Sequence, residues 1–182
     1  MEEKSISEYR QVIAACKSLF TKKTKDYGTA WRILRLPSIT DQIFIKAKRI
    51  RSIQEKQTQM VDESIEGEFV AMINYCIMAM MQISYNEDDR MEIPTEEIAP
   101  LYDKMADDTL QLLLRKNHDY GEAWREMRVS SMTDIILMKL LRVKQIEDNQ
   151  GSTLVSEGVD ANYQDIINYS VFCLIKLDYQ VA

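Results

Sequence analysis

Three acidic side chains and an amide near the end of the chain have a spacing that could bind a metal ion. At 100° per residue, one predicted helix carries within an arc of about 140° the residues Glu157, Asp160, Asp165 and Asn168. Carboxylates 4 Å apart repel by about 4 kcal/mol at an effective dielectric constant of 20, so a shared site needs protons or a cation. Oxygen ligands suit Mg²⁺ or Mn²⁺. We therefore expect Glu157, Asp160 and Asp165 to bind such an ion, with Asp160 and Asp165 as the catalytic residues. Taken alone, Glu157 is also explained as a solvated acid in a first helical turn, which the helix dipole favours.

These acids lie in the second copy of an internal repeat. Residues 26–53 return 93 positions later as residues 119–146, with 14 of 28 aligned positions identical. The pattern predicts a first repeat over residues 5–85, an acidic linker over 86–95 and a second repeat over 96–180. A single copy would expose a large apolar helix face, so we expect the two to pack together as a pseudo-twofold pair.

The first repeat lacks one of the acids. The positions that match the acidic stripe are Glu63, Glu66, Ala71 and Asn74. This loss favours the second repeat as the site. Asn74 and Asn168 lie inside otherwise apolar helices, where an interhelical hydrogen bond and a ligand contact are equally good explanations.

Two pairs of cations recur on the third helix of each repeat. Lys46 and Arg49, like Lys139 and Arg142, are spaced i, i+3 and so share a helix face. Their partner is either a carboxylate of the neighbouring helix or a phosphate of a ligand, and the sequence supports both equally.

Two further arginines and the aromatic residues of the repeated segment offer more contacts to a ligand. Arg32 and Arg125 either grip phosphates or stack on aromatic rings. Trp124 is explained by a core position or by contact with a base, as is Tyr120. The matching glycines Gly28 and Gly121 are expected to supply a backbone turn.

The apolar pattern predicts an all-α protein, a pseudo-twofold helical bundle in which each copy is a three-to-four-helix unit. Glycine and proline are scarce, with 5 and 3 copies, and apolar residues follow helical spacing. We expect the first helix to start after a capping Ser5 and to stop near Lys25, and the third helix to run from a capping Ser38 to Lys56. The fourth helices, over 62–84 and 156–179, are apolar on almost every side and belong in the centre of the bundle.

Composition restricts the partners. A net charge of −6 and an isoelectric point near 5.0 disfavour direct binding of nucleic acid, but they allow a small nucleotide in a local basic pocket. The start of the chain has no leader pattern, and no apolar run approaches the ~18 residues that span a bilayer. Cys16, Cys76 and Cys173 lie in apolar helical patterns, which indicates reduced core thiols. We expect a cytoplasmic protein, which could form a homodimer.

The repeated motifs resemble a known family. K-x-DYG-x-AWR or NHDYG-x-AWR, the K-x-x-R third helix and an acidic turn leading to I-x-NY are similar to the family called nucleotide modification associated domain 1, in two tandem copies. More distantly, K-x-x-R followed by D-x-x-x-x-D-I-I-N-Y resembles the all-α, MazG-like nucleoside triphosphate pyrophosphatases. That resemblance implies helix-borne acids that bind Mg²⁺ and cleave the α–β phosphate bond. Their E-E-x-x-E set is missing from both 41–55 and 134–148.

Three hypotheses follow. The first is a Mg²⁺-assisted nucleotide-binding protein or pyrophosphatase, in which Lys139, Arg142 and Arg125 neutralise phosphates while Tyr120 or Trp124 faces the base. The second is a sensor or adaptor that binds a nucleotide without turnover. The third is a helical scaffold for another protein.

Overall fold

The computed structural model describes residues 1–57, 64–154 and 157–179. These residues form six α-helices, α1 (Glu3–Tyr27), α2 (Leu36–Lys56), α3 (Ile65–Ser84), α4 (Thr95–Tyr120), α5 (Val129–Asp148) and α6 (Val159–Lys176). Two short 3₁₀ helices, Ala30–Ile33 and Ala123–Glu126, follow α1 and α4. The described parts contain no strand, and the prediction of an all-α protein is confirmed.

Four helices form the centre of the bundle. The helices α2, α3, α5 and α6 pack against one another, and α1 and α4 each lie across α3 and α6. The order α1–α2–α3 is repeated by α4–α5–α6, in agreement with the expected pseudo-twofold bundle. Buried apolar residues cover most sides of α3 and α6, as the apolar pattern of these helices predicts. The limits of the two repeats as separate units stay a prediction.

The two repeats exchange buried hydrogen bonds. The Tyr9 hydroxyl of α1 donates to Asn168 Oδ1 of α6 over 2.7 Å, and the Tyr102 hydroxyl of α4 donates to Asn74 Oδ1 of α3 over the same distance. Asn74 Nδ2 also donates to the Cys16 carbonyl. Each repeat thus donates a hydrogen bond to a buried asparagine of the other, which explains why a tyrosine and an asparagine recur at these positions.

Recurring charges also join the repeats, along the contact between α2 and α5. Lys144 pairs with Asp41 over 2.7 Å, and Arg51 pairs with Asp134 over 3.5 Å. Asp41 and Asp134 are matching positions, as are Arg51 and Lys144. These exposed pairs stabilise the fold little individually, but they account for the recurrence of the two aspartates without any role in catalysis.

The predicted helix starts are wrong at several places. The N-cap residues of α1, α2 and α5 are Glu2, Arg35 and Arg128, and none of their side chains caps the helix. Ser5 is buried inside α1, where its hydroxyl donates to a carboxylate of the second repeat. The helix α2 begins at Leu36, two residues before Ser38, because a proline in the first turn is preorganised for helix and lacks only an N–H that has no partner there.

The helix α6 begins at Val159 rather than at residue 156. Glu157 therefore precedes the helix and does not share a helical stripe with Asp160 and Asp165, which corrects the geometry assumed from the sequence. In the first repeat, α3 begins at Ile65 after a Ser64 cap. The matching Glu63 lies outside the described residues.

Other expectations are confirmed. The two matching glycines end α1 and α4 with positive φ, +61° at Gly28 and +59° at Gly121. All three cysteines are buried free thiols. Among the described residues, no helix is long and apolar enough to cross a membrane.

Candidate functional site

A cavity of about 570 Å³ lies in the second repeat where the end of α4, the 3₁₀ helix Ala123–Glu126, α5 and α6 meet. We call it the aromatic cavity. Its lining combines rings, aliphatic side chains and a few polar groups: Leu113, Lys116, Asn117, Tyr120, Gly121, Ala123, Trp124, Met127, Lys139, Asp165, Asn168, Tyr169 and Phe172. Its volume falls within the ~300–1,000 Å³ that is typical of small-molecule sites.

Asp165 is the one acid in this lining, and two lysines hold it. Its Oδ1 accepts a hydrogen bond from Lys116 Nζ of α4, and its Oδ2 accepts one from Lys139 Nζ of α5, each over 2.8 Å. Burial lowers the pKa of Lys116, but the hydrogen bond and the charge of Asp165 outweigh it, so the net shift is upward. The Lys116 ammonium therefore stays charged near neutral pH, and the cluster places two lysine side chains around one carboxylate.

Aromatic rings form one wall of this cavity. Trp124 stacks on Phe172 with ring centroids 4.3 Å apart and planes inclined by 6°. Tyr169 meets Phe172 edge to face. Only 5% of Trp124 is exposed, and its indole N–H has no partner among the described residues. Tyr120, by contrast, is 77% exposed at the rim. Trp124 thus serves the core and lines the cavity at once, whereas Tyr120 is free to contact a ligand.

Arg125 supports this wall rather than facing the cavity. Its guanidinium lies 4.4 Å from the Trp124 ring centroid and pairs with Glu8 over 2.5 Å and with Glu122 over 2.7 Å. It also donates to the Ser5 hydroxyl. These contacts occupy the guanidinium with groups of the protein, so the expected contact of Arg125 with phosphate would require them to break.

Asn168 lies between the core and the aromatic cavity. Its Oδ1 accepts the Tyr9 hydrogen bond, while no described group accepts from its Nδ2. In the first repeat, the matching Asn74 Nδ2 donates to a backbone carbonyl. Asn168 therefore forms the predicted interhelical hydrogen bond through Oδ1, and its Nδ2 is a further hydrogen-bond donor at the cavity.

A second cavity, of about 850 Å³, adjoins the first because Lys139 lines both. We call it the polar cavity, and its lining consists of Lys139, Arg142, Gln145, Ile146, Asn149, Ser152, Thr153, Leu154, Glu157 and Asn162. Arg142 is exposed and has no hydrogen-bond or ion-pair partner in the described parts of the chain. The opening thus presents the positive charges of Lys139 and Arg142 on α5, and Glu157 contributes a negative charge to the same lining.

The three acids expected to share a metal ion lie in different surroundings. Asp165 lines the aromatic cavity, Glu157 lines the polar cavity, and Asp160 lines a third opening beside Arg35 of the first repeat and Asp88 of the segment that follows α3. Among the described residues, no group of three or more histidine, cysteine, aspartate or glutamate side chains could hold a metal ion. The structure thus does not bring the acidic stripe together, and the Mg²⁺ or Mn²⁺ ion stays a prediction.

The first repeat uses the matching cations differently. Arg49 Nη1 donates to Glu68 Oε1 over 3.1 Å, and Lys46 Nζ lies 3.7 Å from Glu68 Oε2. The Glu68 side chain is only 5% exposed. In this repeat, the partner of the cation pair is a carboxylate of the neighbouring helix, which is one of the two alternatives that the sequence left open.

Arg32 has a structural setting like that of Arg125. It donates to Gln82 and to the carbonyls of Asp88 and Arg90, and it lies over the Tyr85 ring at 5.1 Å. Gln82 in turn donates to the Arg32 carbonyl. These contacts fasten the segment after α1 to the end of α3.

Three residues of these clusters were missed in the sequence. Lys116 recurs as Lys23 three positions before the repeated Asp-Tyr-Gly, a signal that alignment of the repeats contains. Glu68 and Asn162 occupy matching positions, 94 residues apart, and differ in charge. Asking which acids change between copies, as well as which are kept, would have found them.

The geometry defines an all-α tandem repeat whose second copy opens a cavity lined by rings and lysines. The family model described as nucleotide modification associated domain 1 matches the chain twice, at residues 23–83 and 116–177, which is more than half of the sequence. The chain belongs to this family and carries two copies of its domain in tandem. No curated protein and no solved structure matches the chain. The resemblance to MazG-like enzymes stays a prediction.

Proposed function

We propose that the second repeat binds a nucleoside phosphate, with the base in the aromatic cavity and the phosphates toward Lys139. The observation that carries the proposal is the shared lining of this cavity, in which Trp124, Tyr169 and Tyr120 lie beside two lysine ammonium groups. Base–aromatic stacking contributes about 1–3 kcal/mol per base, and Tyr120 is the exposed ring that can stack on one, whereas Phe172 and Arg125 cover the Trp124 ring, which lines the wall. Ammonium groups attract phosphate. A ligand with both a flat ring and an anion uses both parts of the lining.

Polar groups support a defined orientation of such a ligand. Asn168 Nδ2, Asn117 and the Trp124 indole N–H are donors or acceptors at the edge of an apolar space. A few polar groups in a mostly apolar cavity fix orientation and give specificity. The ligand is therefore a small molecule, and the acidic chain remains a poor partner for nucleic acid.

The arrangement of Asp165 favours binding over turnover. Both of its oxygens accept hydrogen bonds from lysines. To act as a general base or as a metal ligand, Asp165 would first have to lose these hydrogen bonds. Cleavage with Mg²⁺ or Mn²⁺, and the roles of Glu157, Asp160 and Asp165 in it, are retained as a prediction. Mass analysis of a nucleotide pool after incubation with either ion, beside Asp160→Asn, decides between turnover and a sensor or adaptor. A cytoplasmic location and a homodimer also stay predictions.

The proposal is tested with a panel of nucleosides and their mono-, di- and triphosphates in a thermal-shift assay. Tyr120→Ala is the diagnostic variant and Tyr27→Ala is its matched control, because these tyrosines are 77% and 70% exposed and neither is part of the core. We expect at least one nucleotide to raise the melting temperature of the wild type and of Tyr27→Ala more than that of Tyr120→Ala. A panel without any effect on the wild type contradicts the proposal and supports the scaffold hypothesis.

A further inference from the structure

The first repeat contains its own anion at the position where the second repeat has an open cavity. Lys46 and Arg49 of α2 match Lys139 and Arg142 of α5. On the helix packed against them, Glu68 of α3 matches the neutral residue at position 162 of α6. The same cation pair therefore faces a carboxylate in one repeat and an amide in the other.

The geometry of the first repeat shows how the pair holds an anion. Glu68 receives a hydrogen bond of 3.1 Å from Arg49 and has Lys46 at 3.7 Å, with its side chain only 5% exposed. A carboxylate thus fits between cations that are one helical turn apart. Phosphate oxygens bind the same groups through the same type of hydrogen bond.

In the second repeat, this position is not filled by an acidic residue. Asn162 stands in the place of Glu68 and donates to the Gly158 carbonyl over 2.9 Å. Lys139 turns to Asp165 instead, and Arg142 has no described partner. The polar cavity opens here and is lined by all three residues, Lys139, Arg142 and Asn162.

We infer that the polar cavity is an anion subsite that takes a phosphate group of the ligand where Glu68 places the chain's own carboxylate in the first repeat. This inference rests on the proposed function and adds the residues that select the ligand: Arg142 receives the phosphate, and Asn162 keeps its place open. Lys139 lines both cavities, so it contacts the phosphate nearest to the nucleoside. A nucleoside diphosphate or triphosphate reaches Arg142, about 5–6 Å further along α5.

The balance of charge in the second repeat is compatible with this ligand. Lys116, Lys139 and Arg142 face Asp165 and Glu157 across the two cavities, which leaves one positive charge without a counter-charge. Adding a carboxylate at position 162 would remove that excess. Such a carboxylate would also occupy the place of the phosphate, as Glu68 does.

The test is Asn162→Glu, which copies the first repeat, with the isosteric and neutral Asn162→Gln as its control. The probes are inorganic pyrophosphate and the matched nucleoside and diphosphate that stabilise the wild type best, each titrated by calorimetry. We expect Asn162→Glu to weaken pyrophosphate and diphosphate binding by about tenfold or more, as for the loss of one charge-assisted contact. Nucleoside binding should stay within about twofold. Equal diphosphate affinity in Asn162→Glu and Asn162→Gln would overturn the inference.

A second variant keeps the inference testable if Asn162→Glu does not fold. Arg142→Gln changes an exposed side chain without a described partner, so it should fold normally and lose pyrophosphate affinity by a similar factor. Unchanged pyrophosphate affinity in folded Arg142→Gln also overturns the subsite. Pyrophosphate binding that depends on Arg142, in a protein that binds no nucleoside or nucleotide, would leave the subsite in place and refute the proposed function alone.

Discussion

Asp165→Asn isolates the cost of breaking the cluster that joins α4, α5 and α6. The amide keeps the shape of the side chain but removes the carboxylate that Lys116 and Lys139 both contact. Breaking a buried ion pair costs about 3–5 kcal/mol. The Lys139 and Asp165 side chains are 15% and 9% exposed, whereas the Lys116 side chain is 38% exposed. Water therefore weakens the contribution of the Lys116 ion pair to stability. We expect a loss of about 2–3 kcal/mol in the free energy of unfolding, most of it from Lys139.

Urea denaturation at neutral pH, followed by circular dichroism, measures this loss as a shift of the midpoint at constant slope. Asp160→Asn is the control, since Asp160 is exposed and forms no ion pair with a described residue. Glu68→Gln in the first repeat is the parallel case and should lose a similar amount. A change for Asp165→Asn no larger than that for Asp160→Asn would refute the view that the two lysines depend on Asp165 for charge compensation.

Three further predictions concern the fold. Burial raises the pKa of Glu147 above its unfolded value, so the folded state binds this proton more tightly and the free energy of unfolding should fall as pH rises from about 4.3 to the folded pKa. Glu147→Gln should remove that part of the pH dependence in denaturation curves, and an unchanged curve would contradict it. Gly121→Ala should cost about 1–3 kcal/mol for its backbone strain, and Gly28→Ala should cost a similar amount, because the Glu92 carboxylate that its Cβ would meet is the end of a flexible side chain and can move away; thermal melts that show no loss for either variant would contradict this. Tyr9→Phe leaves Asn168 Oδ1 without its donor and should cost about 1–3 kcal/mol in urea denaturation, whereas a neutral effect would show that water replaces the hydroxyl.

Much of the fold follows from the sequence because repetition and apolar spacing act over long segments. The last helix of each repeat is apolar on almost every side and therefore requires a central position, which α3 and α6 have. Helix starts were predicted less well. Ser5 and Ser38 have the residue type of a cap, but tertiary contacts and Pro37 decide where α1 and α2 begin, and a local motif contains no information about them.

The candidate site was predicted in part. Its second-repeat location, Lys139 and the aromatic residues were chosen from the sequence, and the structure places them around one cavity. The acidic stripe failed as a cluster because Glu157 precedes α6 and Asp160 points to another opening. Asp165 contacts two lysines instead of other acids. One of the lysines, Lys116, lies on α4, and the spacing of residues along α6 contains no information about contacts with another helix.

The central claim, one nucleotide site in the second repeat, is tested most directly by calorimetric titration of Lys139→Gln and Lys46→Gln. These lysines are matching positions, but only Lys139 lines the two cavities. We predict one nucleotide per chain in the wild type and in Lys46→Gln, with at least about tenfold weaker binding in Lys139→Gln. Equal loss in both variants, or two nucleotides per wild-type chain, would contradict the account.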